Sequence, residues 1–318
     1  MRTEALDGII FGATITDVAL TDLDDTTWNQ IEHAFNTHGL LVFPGQHLDH
    51  DSAAAFAMRF GPLQREAKRA HSITNRQEDG TTLSDRDPTW LTLSYPTRYW
   101  HADGTFGLIP PKACMLAAAS VVSDGGQTAF VDMTAAYEAL DSELRERIDG
   151  LSAFHSNLVG TMRVLPKVNR DYLYSLVGDT PEDGTYGLGM SVECPLRPLV
   201  RMHPVTGRPS IFAGRHTFGI PGMALEEADD LLRELEAFAA QPPRVYEHNW
   251  AVGDVIIWDN LRLLHRACDY DDQEETRELL NCRVAGDPNT DAGLDTHEAR
   301  KSAEVQRSEL TRLLTRPT

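Results

Sequence analysis

The run Tyr99-Trp100-His101-Ala102-Asp103-Gly104-Thr105-Phe106 sets an imidazole and a carboxylate two residues apart. On a strand such a pair shares a face, so His101 and Asp103 can hold one metal ion between them. A second histidine from elsewhere would complete two nitrogens and one oxygen on one side of the metal. Non-haem Fe(II) oxygenases use that ligand set and leave positions open for substrate and O2. His-x-Asp alone is a weak signal, because any polar edge strand can carry it. The chemistry therefore depends on a third ligand and on a cosubstrate site.

The chain has 12 histidines, and His265 is the candidate, after an apolar run at 255–258 and the turn Asp259-Asn260. A lone histidine beside an apolar strand is more often a satisfied core residue, and His203 and His216 compete with it. Arg277 follows, opening Arg277-Glu278-Leu279-Leu280. If the metal is iron and activates O2, two electrons must be supplied. A 2-oxo acid chelating through its ketone and C1 carboxylate would supply them. Its far carboxylate would then need a fixed cation, and a planar guanidinium grips it bidentately. Thr128, after Gly125-Gly126, could add a hydroxyl. Taken alone, Arg277 is a surface arginine among Glu274, Glu275 and Glu278. A zinc hydrolase could use the same two histidines and aspartate around a bound water, but it has no use for Arg277 and Thr128. A non-catalytic jelly-roll binding protein would not need all three ligands.

The elements that must position these residues are mostly short strands with flanking helices. Helical spacing predicts helices at 22–38, 51–60, 134–148 and 224–240, and a charged helix near 296–314. Thr21 or Asp22 is the expected cap of the first helix and Gly39 its stop. Strands are expected within 9–18, at 40–43, 113–122, 127–131, 246–250, 255–258 and 279–284, with a hairpin across 199–213. Residues 64–98 form a polar loop centred on Asn75-Arg76-Gln77, a possible lid with a strand at Leu91 to Leu93. Residues 155–190 have no strong periodicity and are expected to be an insertion between strands. No repeat, low-complexity tract or linker divides residues 1–318, so one domain is expected. Many short strands with turns point to a barrel or jelly roll with helices outside.

A chain of 318 residues that is 41% hydrophobic can bury a sizeable core. Its net charge of −19 argues against a broad nucleic-acid surface. An acidic protein can still hold an anion in a local cationic pocket, so a small-molecule partner stays open. Cys114, Cys194, Cys268 and Cys282 form no C-x-x-C pair and are expected to be reduced thiols of a cytoplasmic protein. No signal peptide and no membrane-spanning stretch is expected.

Taken together, the motifs resemble the TauD/TfdA family, the Fe(II)- and 2-oxoglutarate-dependent dioxygenases named for taurine dioxygenase and 2,4-dichlorophenoxyacetate dioxygenase. The likeness rests on Trp100-His101-x-Asp103-x-Thr105-Phe106, Gly125-Gly126-x-Thr128, Trp258-Asp259-Asn260, His265-Arg266 and Arg277. It extends to Gly39-Leu40-Leu41-Val42-Phe43, Arg59-Phe60-Gly61-Pro62 and Ala135-Ala136-Tyr137-Glu138-Ala139-Leu140, and so covers most of the chain. The resemblance implies a double-stranded β-helix (jelly roll) core and a homo-oligomer, dimer or tetramer. It makes His101, Asp103 and His265 the ligands of Fe(II), Arg277 the partner of the 2-oxoglutarate C5 carboxylate, and Thr128 its helper. The implied reaction consumes O2, yields succinate and CO2, and hydroxylates an unactivated C–H bond of a small organic substrate. Desaturation or another oxidative rearrangement shares the same oxidant. One departure stands out. Taurine dioxygenase carries a second arginine, four residues after the cosubstrate arginine, that grips the substrate sulfonate, and Asn281 stands there here. Asparagine gives no charge-assisted pair, so sulfonates are poor candidates. Arg283 shares the face of Asn281 on a regular strand, Arg98, Arg163 and Arg215 are further cations, and Tyr99, Trp100 and Trp250 could wall an apolar substrate pocket.

Overall fold

The computed structural model describes residues 1–77, 79–83, 94–166, 169–170, 173 and 193–315. Strands β1 (Arg2–Ala5), β2 (Ala13–Thr16), β3 (Leu40–Phe43), β4 (His71–Thr74), β5 (Ala113–Ser120), β13 (Val255–Asp259) and β15 (Glu278–Val284) form the large sheet, in the order β1-β2-β3-β13-β5-β15-β4. A smaller sheet joins β12 (Val245–His248), β6 (Thr128–Asp132) and β14 (Leu263–Ala267). Further pairings are β7 (Ser152–His155) with β8 (Leu196–Pro198) and β11 (Thr217–Phe218), and the hairpin of β9 (Val200–Met202) with β10 (Pro209–Ile211).

Side-chain alternation builds the layers. In β13, Ile256 and Trp258 turn inward, against Leu116 of β5, Phe130 of β6 and Leu263 of β14. Val255 and Ile257 turn the other way, onto α1 (Asp25–His38) and α2 (His50–Met58) through Ile31, Phe35, Phe56 and Ala57. The outer face of the small sheet, through Val131 and Leu264, is covered by α3 (Met133–Glu138), α4 (Ser142–Ile148) and α6 (Leu225–Ala239). A third cluster joins β7, β8 and β11 to α5 (Asn157–Val164) and to α8 (Ser302–Thr315), which follows the short α7 (Pro288–Asp291). Two facing sheets with helices outside make the jelly roll expected from the sequence.

Several local expectations change. Asp24, rather than Thr21 or Asp22, caps α1 by accepting from Thr27 N, and Gly39 ends it at φ 73°. The helix expected over 134–148 is broken, because Asp141 starts a new cap by accepting from Leu144 N. The 64–98 stretch contains β4, which pairs antiparallel with β15. Its side chains are mostly exposed, so no apolar alternation announced it. The insertion expected at 155–190 starts as strand β7 and helix α5. The expected strand at Leu91 to Leu93 and most of 167–190 lie outside the described residues. The final helix is amphipathic rather than merely charged and buries Leu310 and Leu313. Among the described residues, no helix is long and apolar enough to cross a membrane.

Candidate active site

His101 pairs with β14 of the small sheet through its backbone. His101 N donates to His265 O at 3.0 Å, and His265 N donates to His101 O at 2.8 Å. This isolated bridge sets the two rings 4.2 Å apart, centroid to centroid. His101 Nδ1 lies 2.8 Å from Tyr99 O. A carbonyl can only accept, so Nδ1 carries the proton and Nε2 keeps its lone pair.

Asp103 does not share a strand with His101; it lies in the turn that follows the bridge. Asn260 fixes it there, accepting from Asp103 N at 2.8 Å and donating to Asp103 O at 2.9 Å and to Pro111 O at 2.8 Å. Gly104 turns the chain at φ 62°, and a Cβ there would stand 2.8 Å from Pro111 Cδ. The carboxylate ends with Oδ1 3.8 Å from His101 Nε2 and with Oδ2 accepting from Arg283 Nε at 2.8 Å.

One ligand atom each from His101, Asp103 and His265 lies within 4.8 Å of the others, and all three residues are buried. His265 Nδ1 is a buried nitrogen without a protein partner. Burial lowers the pKa of both imidazoles, with Arg215 adding to it in each, and brings His265 to about 4. Burial pushes the Asp103 carboxyl up, but Arg283, His265 and His101 outweigh it and hold it below the usual carboxylate range. Near neutral pH the cluster is therefore two neutral imidazoles and one carboxylate, the deprotonated donor set that a divalent metal takes. His203 is elsewhere, with Nε2 2.7 Å from Asp259 Oδ2. His216 lies nearby, but Arg215 Nη2 at 2.6 Å and Thr105 Oγ1 at 3.4 Å occupy its two nitrogens.

A cavity of about 110 Å³ opens from this cluster, with Thr128 and Arg277 in its wall. Arg277 is only 8% exposed. Its Nη2 donates to Thr128 Oγ1 at 3.3 Å, and among the described residues no carboxylate pairs with it. Burial lowers its pKa to about 10. The Gly125-Gly126 turn lets this side chain lie across it: a Cβ on Gly126 (φ 65°) would touch Arg277 Cδ and Nε at 3.4 Å. A buried guanidinium without an anion is costly to the protein and is a ready seat for an anionic ligand.

Asn281 and Arg283 line this cavity and also a second one, of about 730 Å³, whose walls include Arg65, Phe106, Leu108 and Ile109. Asn281 Oδ1 is buried without a partner. The side chains of Tyr99 and Trp100 line neither cavity. His101 turns inward, so its neighbours turn away: Trp100 packs on the outer helical layer under Arg266, 5.0 Å from its ring. Arg98 lines the smaller cavity, paired with Asp269 at 3.1 Å. Arg163 lies away from it, within 3.3 Å of Asp229.

Two positioning residues escaped sequence reasoning. Asn260 belonged to a quoted motif, but nothing assigned it the Asp103 clamp. Asn75, wholly buried, accepts from Arg277 N at 3.0 Å and donates to Asp272 O and Glu275 O at 3.1 and 2.8 Å. Its polar neighbours made it look like surface loop.

A jelly roll whose cavity is lined by a His₂-carboxylate cluster and by an arginine that no carboxylate pairs among the described residues belongs among the 2-oxoglutarate-dependent dioxygenases, which are oxidoreductases. The chain is a member of the taurine catabolism dioxygenase TauD, TfdA family, whose pattern it matches over residues 2–283. It is 42% identical over 290 residues to the (S)-phenoxypropionate/alpha-ketoglutarate-dioxygenase of Sphingobium herbicidovorans, covering 89% of this chain and 95% of that one. It is 34% identical over 276 residues to the alpha-ketoglutarate-dependent 2,4-dichlorophenoxyacetate dioxygenase of Cupriavidus pinatubonensis, covering 82% and 90%. The solved structure of AAD-2 in complex with Mn(II) and N-oxalylglycine superposes with a TM-score of 0.78 at 31% identity, covering 92% of this chain and 100% of that one.

Proposed function

We propose that this chain uses Fe(II), 2-oxoglutarate and O2 to hydroxylate an unactivated C–H bond of a small carboxylic acid, an aryloxyalkanoate of the phenoxypropionate kind being the first to try. The observation that carries the reading is Arg277, a buried cation that no carboxylate pairs among the described residues, lining one cavity with the His101, Asp103 and His265 cluster. Bound there, Fe(II) would supply O2 activation, decarboxylating 2-oxoglutarate to succinate and CO2 and oxidising the C–H bond.

The chain's own residues do the positioning. His101, Asp103 and His265 would hold the metal. Arg277 and Thr128 would hold the distal carboxylate of the cosubstrate and so orient it in the cavity. Leu116, Trp258 and Leu279 give the same cavity the apolar part of its wall. Arg283 and Asn281 stand between this cavity and the larger one, where the primary substrate would sit. Phe106, Leu108 and Ile109 offer an apolar wall to an aryl group, and Arg283, in the wall of both cavities, is a cation for a substrate carboxylate.

Anaerobic protein loaded with Fe(II) and then 2-oxoglutarate should develop a visible metal-to-ligand charge-transfer band. His265→Ala should lose it, and Arg277→Ala should need more 2-oxoglutarate to reach it. Succinate release should then rise on adding (S)-2-phenoxypropionate. Folded, iron-loaded protein without the band would sink the reading. A band without substrate-stimulated succinate would keep the chemistry and reject the aryloxyalkanoate.

A further inference from the structure

Thr128 presents its hydroxyl to the cavity under a constraint. A threonine oxygen has two acceptor sites and one O–H donor. Arg277 Nη2 donates to Thr128 Oγ1 at 3.3 Å, and the indole Nε1 of Trp250 donates to the same oxygen at 3.0 Å. With both lone pairs taken, the O–H has to find an acceptor elsewhere. Thr128 lines the cavity that holds Arg277.

Trp250 is itself held. It stands just beyond β12, with its ring edge-on to His248 at 4.7 Å and 83°. His248 is pinned at both nitrogens, by Tyr246 OH at 2.9 Å and by Asp254 Oδ2 at 3.0 Å. Asp254 Oδ2 also accepts from Ala251 N at 3.0 Å, which closes the turn that carries the indole. A pinned donor can fill a lone pair on Thr128 without moving with the ligand.

We infer that Trp250 is a positioning residue for the cosubstrate: by filling one lone pair of Thr128 Oγ1, it turns the hydroxyl hydrogen toward the distal carboxylate of a dicarboxylic 2-oxo acid. The inference rests on the function proposed above. It makes Trp250 a determinant of 2-oxoglutarate selectivity, acting through Thr128 without touching the ligand. A 2-oxo acid with no distal carboxylate should not sense it.

The test is binding without turnover. Calorimetric dissociation constants for 2-oxoglutarate and 2-oxobutyrate would be measured on anaerobic Mn(II)-loaded protein. Trp250→Phe, which keeps the bulk and loses the donor, should weaken 2-oxoglutarate roughly three- to ten-fold and leave 2-oxobutyrate unchanged. Trp250→His, which keeps an N–H, should recover part of the loss. In a Thr128→Val background, Trp250→Phe should add nothing. Equal weakening of both ligands, or the same loss in the Thr128→Val background, would show a merely structural role and overturn the inference.

Should Trp250→Phe not fold, the wild type decides the matter. In Zn(II)-loaded, ¹⁵N-labelled protein, Thr128→Val identifies the Trp250 indole resonance by its shift. That resonance should move on adding 2-oxoglutarate and stay still with 2-oxobutyrate; equal movement refutes the inference. Wild-type protein that binds neither 2-oxo acid overturns the proposed function and this inference together. Wild type that binds 2-oxoglutarate with a silent Trp250 overturns the inference alone.

Discussion

Two arginines bound the inner face of β15, and they are in opposite electrostatic states. Arg277, just before the strand, is buried and has no carboxylate among the described residues. Arg283, near its other end, has Nε on Asp103 Oδ2 at 2.8 Å, with 35% of its side chain exposed. The strand pleat aims both into the roll, since Leu279 and Asn281 between them also line the cavity. One cation is held without an anion and is ready for a ligand. The other is committed to a candidate metal-binding carboxylate and adds to the forces that keep it ionised. One strand thus carries a site for a distal carboxylate at one end and a support for the metal site at the other.

The sharpest way to break that contrast is to give both arginines the same substitution. Arg277→Met should weaken 2-oxoglutarate binding by about a hundred-fold or more, because a charge-assisted, bidentate contact is lost. It should also leave the ligand-free protein as stable as before or stabilise it by roughly 1–3 kcal/mol, since an unpaired buried charge is replaced by apolar volume. Dissociation constants and thermal unfolding of the metal-free protein check the two halves. A destabilised Arg277→Met would mean that a partner within the protein had been compensating the charge.

Arg283→Met should do the reverse. It strands Asp103 in a buried site without its guanidinium, so the metal-free protein should lose roughly 1–3 kcal/mol, a figure reduced for the partial exposure of Arg283. Metal affinity should fall with it, because the unsupported carboxylate takes up a proton more readily. Arg283→Lys should restore part of the charge but not the directed Nε bond. Metal titration of the three proteins decides: equal affinities would reduce Arg283 to a lining residue of the larger cavity.

The two ends were not equally legible in the sequence. His101, Asp103, His265, Thr128 and Arg277 stand out in the sequence because each is a chemically distinctive residue in a spaced motif, and the fold brings all five to one cavity. The jelly roll was legible because β3, β5 and β13 are near-continuous apolar runs, buried on both faces. What holds these residues was hidden. Asn75 and Asn260 work through side-chain bonds to distant backbone, |i−j| from 149 to 202, and local periodicity carries no trace of such a partner. β4 was hidden for the converse reason: its backbone pairing with β15 needs no apolar side chains. Arg283 reads in the sequence only as a substrate contact, because its bond to Asp103 spans 180 positions.

A last expected effect concerns pH and separates the ends once more. His101 and His265 stand at the Arg283 end, and burial lowers both pKa values, His265 to about 4. In the unfolded chain a histidine titrates near 6.5. The unfolded state therefore binds more protons between about 6.5 and 4, and stability rises with pH across that window. The contribution is fully present above pH 6.5 and is lost as pH falls toward 4. Asp103, held below its ordinary value, adds its own loss only at lower pH still. For each histidine the slope should be at most about 1.4 kcal/mol per pH unit. Unfolding midpoints of metal-free protein, taken from pH 7 to pH 4, should show it. His265→Asn should flatten the curve, and Arg277→Met should leave its slope unchanged, since Arg277 is not among the charges that shift either imidazole. A slope that changed equally in both variants would show that the two ends titrate as one unit and that the division along β15 is false.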